Sequence, residues 1–247
     1  MHRFYFNEVD KDSEFIEFSG EISHQIINVL RMKSSDFVEV FNGEGLNAIT
    51  KINVENSGTK VIAKVISQKN VLESNLKIDV YQSIIKSSKL ELTIEKLTEL
   101  GISSFTPIIT ERSQKKDIIS LSDNKINRLK KISIESAEQS GKSFVPEIRN
   151  IEKFANLLMD KNLSNPFLFY ENNEGSESLN DINLNEYKDS NLSIFIGPVG
   201  GFSENEINLS RDSGFRIVNI GDTILKSDTA AIVSCALLRY LIENNLS

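Results

Sequence analysis

The sequence predicts an α/β protein in which a small region of short strands precedes a longer region built on a mostly parallel sheet. Three observations carry this. Short apolar–polar alternations recur between turn signals through residues 1–72. From residue 73 onward, strand patterns alternate with longer amphipathic helices, which implies a parallel sheet covered on both faces. In the C-terminal part, two apolar strands each run directly into glycine, where backbone can approach a ligand. Domains are therefore expected at 1–72 and 73–247.

The first region opens with β-rich residues 3–6 and 14–18. A short helix is expected over 24–32, where Ile26, Ile27 and Leu30 share a face. Phe37-Val38-Glu39-Val40-Phe41 alternates as a half-buried strand does, and Asn42-Gly43-Glu44-Gly45 turns the chain into a strand at 46–54. A second turn, Asn56-Ser57-Gly58, leads to another alternating run at 60–66. Many short strands at regular spacing suggest a small barrel or curled sheet.

In the second region, a strand at 78–85 precedes a helix at 90–100, with Leu90, Ile94, Leu97 and Leu100 on one side. Gly101 fits its C-terminal stop. A strand at 105–110 and a long helix at 122–139 follow, the helix pairing apolar Ile126, Leu129 and Ile132 with basic Arg128, Lys130 and Lys131. A helix at 152–159 leads to a strand at 167–170, and residues 172–190 lack periodicity and read as a loop. Strands at 192–196 and 215–220 alternate with helices at 203–212 and 229–243.

Composition removes whole classes of chemistry. The single cysteine, Cys235, lies in an apolar run, so internal disulfides and cysteine-based zinc clusters are excluded. The two histidines, His2 and His24, both lie near the start, which leaves no Ser-His-Asp constellation or multi-histidine metal site; no metal is expected. No apolar run approaches the roughly 20 residues that cross a bilayer, and the first residues turn acidic where a leader would be apolar. The expectation is a cytoplasmic protein without membrane contact. Net charge is −7, yet residues 86–142 carry 11 basic and 8 acidic side chains. That local excess reads either as a phosphate-binding patch or as solvated helix faces.

The strongest chemical feature is Ile194-Phe195-Ile196-Gly197-Pro198-Val199-Gly200-Gly201-Phe202, followed by the capping box Ser203-x-x-Glu206. Ligands of open α/β sheets sit at the carboxyl ends of strands, where this loop lies. Its spacing is neither that of a dinucleotide fingerprint nor that of a P-loop. Val218-Asn219-Ile220-Gly221 repeats the layout and leads through Leu225 to Lys226-Ser227-Asp228-Thr229. Two such loops can form one small-molecule pocket. Lys226 and Asp228 either act on a bound substrate or serve as a solvated side chain and a helix cap. Glu171, after the strand ending Phe167-Leu168-Phe169-Tyr170, either holds a ribose or amine or is loop surface.

Several stretches in a fixed order give a resemblance. They are His2-Arg3-Phe4-Tyr5, His24 with Leu30-Arg31-Met32, Lys96-Leu97-Thr98-Glu99-Leu100-Gly101, Glu111-Arg112-Ser113, Glu138-Gln139-Ser140-Gly141-Lys142, Val145-Pro146-Glu147-Ile148 and the two glycine loops. Over nearly its whole length the chain resembles the bacterial small-subunit (16S) ribosomal RNA uridine N3-methyltransferase family (RsmE type) of the SPOUT superfamily.

The resemblance implies a PUA-like β-barrel that binds RNA, followed by an α/β methyltransferase domain threaded into a trefoil knot, an exception to the usual absence of knots. It implies a homodimer that binds S-adenosylmethionine and methylates N3 of a uridine in small-subunit ribosomal RNA. By motif position, the cofactor would meet Leu168, Glu171, Ile196, Gly197, Pro198, Gly200, Gly201, Ile220, Gly221, Leu225, Ser227 and Thr229. Lys226 and Asp228 would be catalytic, Asp228 as general base and Lys226 facing charge that develops on the uracil carbonyls. Arg3, Arg31, Arg112 and Lys142 would contact RNA. Two departures stand out. Val199 occupies the family's Glu position in Gly-Pro-Glu-Gly-Gly, and Lys226-Ser227-Asp228-Thr229 replaces Arg-Thr-Glu-Thr. Other readings are a SPOUT enzyme acting on another RNA position, such as a transfer RNA ribose 2′-hydroxyl, and a non-catalytic RNA-binding or ribosome-assembly protein of the same fold.

Overall fold

The computed structural model describes residues 1–55, 60–172 and 175–244. The chain divides into two compact units, Met1–Glu73 with Ala137–Val145, and Ser74–Ser136 with Pro146–Ser247. Sequence alone places all of 73–247 together; the structure attaches residues 137–145 to the first unit instead.

The first unit holds β1 (His2–Tyr5), β2 (Phe15–Phe18), α1 (Gly20–His24) with a π-helical turn (Gln25–Val29), β3 (Phe37–Phe41), β4 (Leu46–Val54) and β5 (Val61–Asn70). The strands form one sheet in the order β1-β3-β4-β5-β2, parallel between β1 and β3 and antiparallel elsewhere. Alternation explains its core. Phe4, Ile16, Phe18, Val38, Val40 and Ile52 point inward and are buried, with Ile26 of the π-helical turn against them. A register shift between Ile49 and Thr50 bulges β5 against β4. The turn expected at Asn56-Ser57-Gly58 lies outside the described residues.

Arg3 is a structural residue of this unit. Its Nη1 donates to the carbonyls of Ala137 and Lys142 at 3.1 and 2.7 Å, and Nη2 donates to Asn47 Oδ1 at 2.9 Å. Nε lies 3.4 Å from Glu39, the guanidinium sits 4.0 Å above the Phe41 ring, and the side chain is 7% exposed. Its expected contact with RNA is corrected by this, because the guanidinium is enclosed and committed to protein acceptors.

The second unit contains β6 (Lys77–Ser83), α2 (Ser87–Leu100), β7 (Ser104–Ile109), α3 (Lys115–Ser120), α4 (Asp123–Ser140) as far as Ser136, β8 (Glu147–Ile148), β9 (Glu152–Lys153) and α5 (Phe154–Leu157). It continues with β10 (Pro166–Phe169), β11 (Glu177–Ser178), β12 (Asn191–Ile196), α6 (Glu204–Asp212), β13 (Arg216–Asn219) and α7 (Ser227–Glu243). Its sheet runs β11-β13-β10-β12-β6-β7-β8, with β9 also beside β7, and each of these pairings is parallel. Strands buried on both faces read as continuous apolar runs. Alternate residues of each run therefore serve two cores: Phe167, Phe169, Ile194, Ile196 and Val218 face α2, α4 and α7. Leu168, Phe195, Ile217 and Tyr81 face Phe154 of α5 and Ile207 of α6.

Two local expectations are corrected, and one short helix had none. Residues 152–159 form the short β9 and a single helical turn, α5, rather than one helix. Residues 115–120 form α3, whose six residues are too few for a visible period. Residues 175–190 hold β11 and two 3₁₀ turns, Leu179–Asp181 and Leu184–Tyr187, that bury Leu179, Ile182 and Leu184 in the core.

Candidate active site

The carboxyl ends of β10, β12 and β13 converge on a cavity of about 410 Å³. Three loops close it: residues 169–171 after β10, residues 196–201 after β12, and residues 220–228 between β13 and the first turn of α7. Ile85 and Lys89, at the end of β6 and the start of α2, form the remaining wall. This is the strand-end position where open α/β sheets bind ligands.

The glycine-rich loop is held from several directions. Ser203 caps α6 in a reciprocal capping box with Glu206. Glu206 is buried, and its Oε2 accepts from the Ser203 N–H at 2.9 Å while Oε1 accepts from the Glu111 N–H at 2.9 Å. Hydrogen bonds from Ser203 and Asn205 hold the Glu111 carboxyl below its ordinary range. Arg112 Nη1 donates to the carbonyls of Gly200 and Phe202 at 2.9 and 3.2 Å. At the other end, Ser227 Oγ donates to the Gly197 carbonyl at 2.5 Å and accepts from Gln82 Nε2 at 2.8 Å.

Two glycines of the loop are closely approached. A Cβ on Gly197 would press on the buried Phe202 ring at 3.1 Å, and one on Gly201 would displace the exposed, flexible Glu171 carboxylate. Gly201 also has φ +67°, in the left-handed region that favours glycine. At Gly200 a Cβ would make ordinary contact, 3.7 Å from Arg112.

Most of the residues expected at the pocket line it: Glu171, Ile196, Gly197, Pro198 and Gly201 on one side, and Ile220, Gly221, Leu225, Lys226, Ser227 and Asp228 on the other. Three do not. Leu168 points into the core on the opposite face of the sheet, and its neighbour Phe169 lines the cavity instead. Gly200 faces Arg112, and Thr229 is an exposed residue one step beyond Asp228 on α7. Arg112, expected at RNA, is engaged with the glycine loop. Arg31 is exposed, with φ 52°, and Lys142 is half-buried. Sequence reasoning also missed Ile85, Lys89, Tyr170, Val199, Val218, Thr223, Ile224 and Ala230; Tyr170, Val199, Thr223 and Ile224 carried a signal, lying within or beside the predicted loops.

The charged groups sit at the N-termini of two helices. Lys226 is the N-cap residue of α7, with an exposed side chain, and Asp228 is the second residue of that helix. Lys89, the third residue of α2, places Nζ 2.5 Å from Asp228 Oδ2. A carboxylate at a helix N-terminus is favoured by the helix dipole. The walls are otherwise apolar, from Ile85, Phe169, Ile196, Val218, Ile220 and Leu225. Such a site takes a flat apolar group against its walls, meets polar groups with loop backbone, and sets an acid–base pair at one end.

Among the described residues, no group of His, Cys, Asp and Glu gathers to hold a metal ion, and no helix is long and apolar enough to cross a membrane.

Comparison with known proteins matches residues 72–239 to a family model described as an RNA methyltransferase domain. The chain is 30% identical over 230 residues to the Borreliella burgdorferi protein named ribosomal RNA small subunit methyltransferase E 2, covering 91% of this chain and 90% of that one. It is 30% identical over 244 residues to ribosomal RNA small subunit methyltransferase E of Rickettsia conorii, with 97% and 96% covered. Among solved structures, ribosomal RNA small subunit methyltransferase E of Neisseria gonorrhoeae, bound to S-adenosyl methionine, aligns with a TM-score of 0.86 at 26% identity over 98% of both chains.

Proposed function

Because the chain belongs to the RNA methyltransferase domain family, we propose that it transfers a methyl group from S-adenosylmethionine to small-subunit ribosomal RNA, at N3 of a uridine. The observation that carries this reading is the cavity at the ends of β10, β12 and β13, which combines apolar walls, a glycine cradle and an acid–base pair.

The residues present fit the cofactor. Gly197, Gly201 and Gly221 line the cavity without side chains, so backbone is what the loops offer a ligand there. The apolar walls suit an adenine ring, and the exposed Glu171 carboxylate at the rim suits a ribose hydroxyl or an ammonium group. Gly197, Gly201, Ile220, Gly221 and Leu225 would hold it. When bound, the cofactor supplies an electrophilic methyl group on a sulfonium.

The chain's own contribution is alignment and proton management. In-line displacement gains most from holding nucleophile and methyl in register. Uridine N3 carries a proton and is a weak nucleophile until that proton leaves, so a base is needed. Asp228 is the carboxylate on the cavity wall that stands beside a fixed cation, and it serves as the general base. Lys226, exposed at the rim, meets the negative charge that spreads onto the uracil carbonyls.

The same reading covers the rest of the chain. Residues 1–72 form the PUA-like barrel that binds RNA, for which the five-stranded sheet with its own core is the support. Exposed Arg31 and half-buried Lys142 supply phosphate contacts. Residues 73–247 form the knotted SPOUT domain, a homodimer in the cytoplasm; the support is the family resemblance together with β10 lying between two strands made later in the chain.

The test is calorimetric titration with S-adenosylmethionine, followed by mapping of the modified base in small-subunit RNA that lacks the methyl group. The wild-type chain binds and modifies N3 of one uridine. Leu225→Arg, which puts a charge against the apolar wall, keeps the fold and loses binding. Methylation of a ribose oxygen would overturn the N3 assignment, and binding without any transfer would leave an RNA-binding protein of this fold.

A further inference from the structure

Lys89 lies 139 residues from Asp228 in the chain, on a helix that no glycine motif marks, yet its Nζ meets Asp228 Oδ2 at 2.5 Å and both residues line the cavity. We propose that Lys89 is a positioning residue for methyl transfer: it grips one oxygen of Asp228 and leaves the other to take the proton of the substrate base. This inference rests on the reading of Asp228 as general base and deepens it.

Burial makes the grip necessary. The Asp228 side chain is 12% exposed, and a carboxylate withdrawn from water needs a partner. Among the described residues, Lys89 is the cation paired with it, and Oδ1 accepts no protein hydrogen bond. Lys226, two residues earlier, forms no ion pair among the described residues and so does not fix the carboxylate. The 42% exposed Lys89 side chain reaches across from α2, so the pair also ties the first turns of α2 and α7 together at the cavity wall.

The choice of lysine matters to this geometry. An ammonium is a compact point charge that can be satisfied by one carboxylate oxygen, whereas a guanidinium fork favours both oxygens at once. Lysine thus leaves Oδ1 open. In the transfer, the uridine N3–H bond breaks and its proton goes to Oδ1. The freed N3 electron pair forms the new bond to the methyl carbon, and the pair of the broken carbon–sulfur bond stays on sulfur. Asp228 is then neutral beside the Lys89 ammonium. Loss of the proton to water re-forms the ion pair for the next turnover.

The experiment is a double-mutant cycle on the full chain, with Lys89→Met, Asp228→Asn and the pair, read under saturating S-adenosylmethionine on unmethylated small-subunit RNA. Thermal unfolding and calorimetric titration with S-adenosylmethionine and S-adenosylhomocysteine accompany each variant. Asp228→Asn is expected to lower kcat by about 10²-fold, the range of lost general-base catalysis. Lys89→Met is expected to lower it by about tenfold or more with cofactor affinity nearly unchanged, and to have no further effect in the Asp228→Asn background, because residues acting as one unit are non-additive.

Lys89→Arg is expected to keep folding and cofactor binding while falling short of wild-type turnover; full turnover in that variant would overturn the one-oxygen grip. Wild-type activity in Lys89→Met, or losses that simply multiply, would overturn the inference while leaving the enzyme reading intact. A wild-type chain that binds cofactor but methylates no RNA would overturn both.

Discussion

Residues 197–201 and residues 221–226 close the same cavity from β12 and β13, the two strands that flank β10, but they are built differently. The first loop is tied at Gly197 by Ser227, at Gly200 by Arg112 and through Ser203 by buried Glu206, with Phe202 packed beneath it. The second places Gly221, Asp222, Thr223 and Ile224 in the open, with Ile224 76% exposed. The first loop is thus anchored to the protein core at both ends, with Val199 and Gly200 exposed at its tip, whereas the second lies at the surface. Contacts drawn from the first rest on an anchored loop, while exposed side chains of the second, such as Ile224, lose rotamer freedom if a ligand covers them.

This contrast can be broken in steps. The largest effect is expected from Phe202→Ala, which removes a ring that is 1% exposed and packed on Phe154 at 5.1 Å between ring centres. Loss of a buried phenylalanine costs about 3–5 kcal/mol, measurable by urea unfolding; a shift below about 1 kcal/mol would show that the loop does not depend on the core. A smaller effect is expected from Arg112→Met. It removes a charged donor to two loop carbonyls, so cofactor affinity should fall by about tenfold or less, within the range for a charge-assisted hydrogen bond. The salt slope of RNA binding should stay unchanged in this variant and flatten in Arg31→Ala. The reverse pattern would return Arg112 to the RNA and remove it from the loop. The smallest change in stability belongs to Ile224→Ser on the open loop, within about 0.5 kcal/mol, while cofactor affinity falls severalfold. Unchanged affinity would mean that residues 221–226 lie beside the ligand without covering it.

Much of this was legible in the sequence, for identifiable reasons. Alternation in Phe37-Val38-Glu39-Val40-Phe41 marked β3, and the capping box marked the start of α6. Apolar runs ending in glycine located the pocket at the ends of β12 and β13. What was not legible follows equally from physics. In a strand buried on both sides, composition cannot say which residue faces which layer, so Leu168 and Phe169 exchanged roles. Arg3 and Arg112 bear the charge of RNA ligands, yet their acceptors are backbone carbonyls that no sequence pattern displays. Lys89 reads as an ordinary helix-surface lysine until the fold brings α7 beside it.

The position of β10 has a consequence for the history of each molecule. Both its neighbours, β12 and β13, come later in the chain. While ribosomes extend the chain from Phe169 to Asn219 at about 5–20 residues per second, apolar Phe167-Leu168-Phe169 waits for seconds, first with both edges unpaired and then, once β12 is made, with the β13 edge still open. Unpaired apolar edges invite pairing with other chains. A transcript truncated before Arg216 therefore yields a polypeptide that lacks a binding site and also carries an aggregation-prone strand, a natural target for chaperones and proteases.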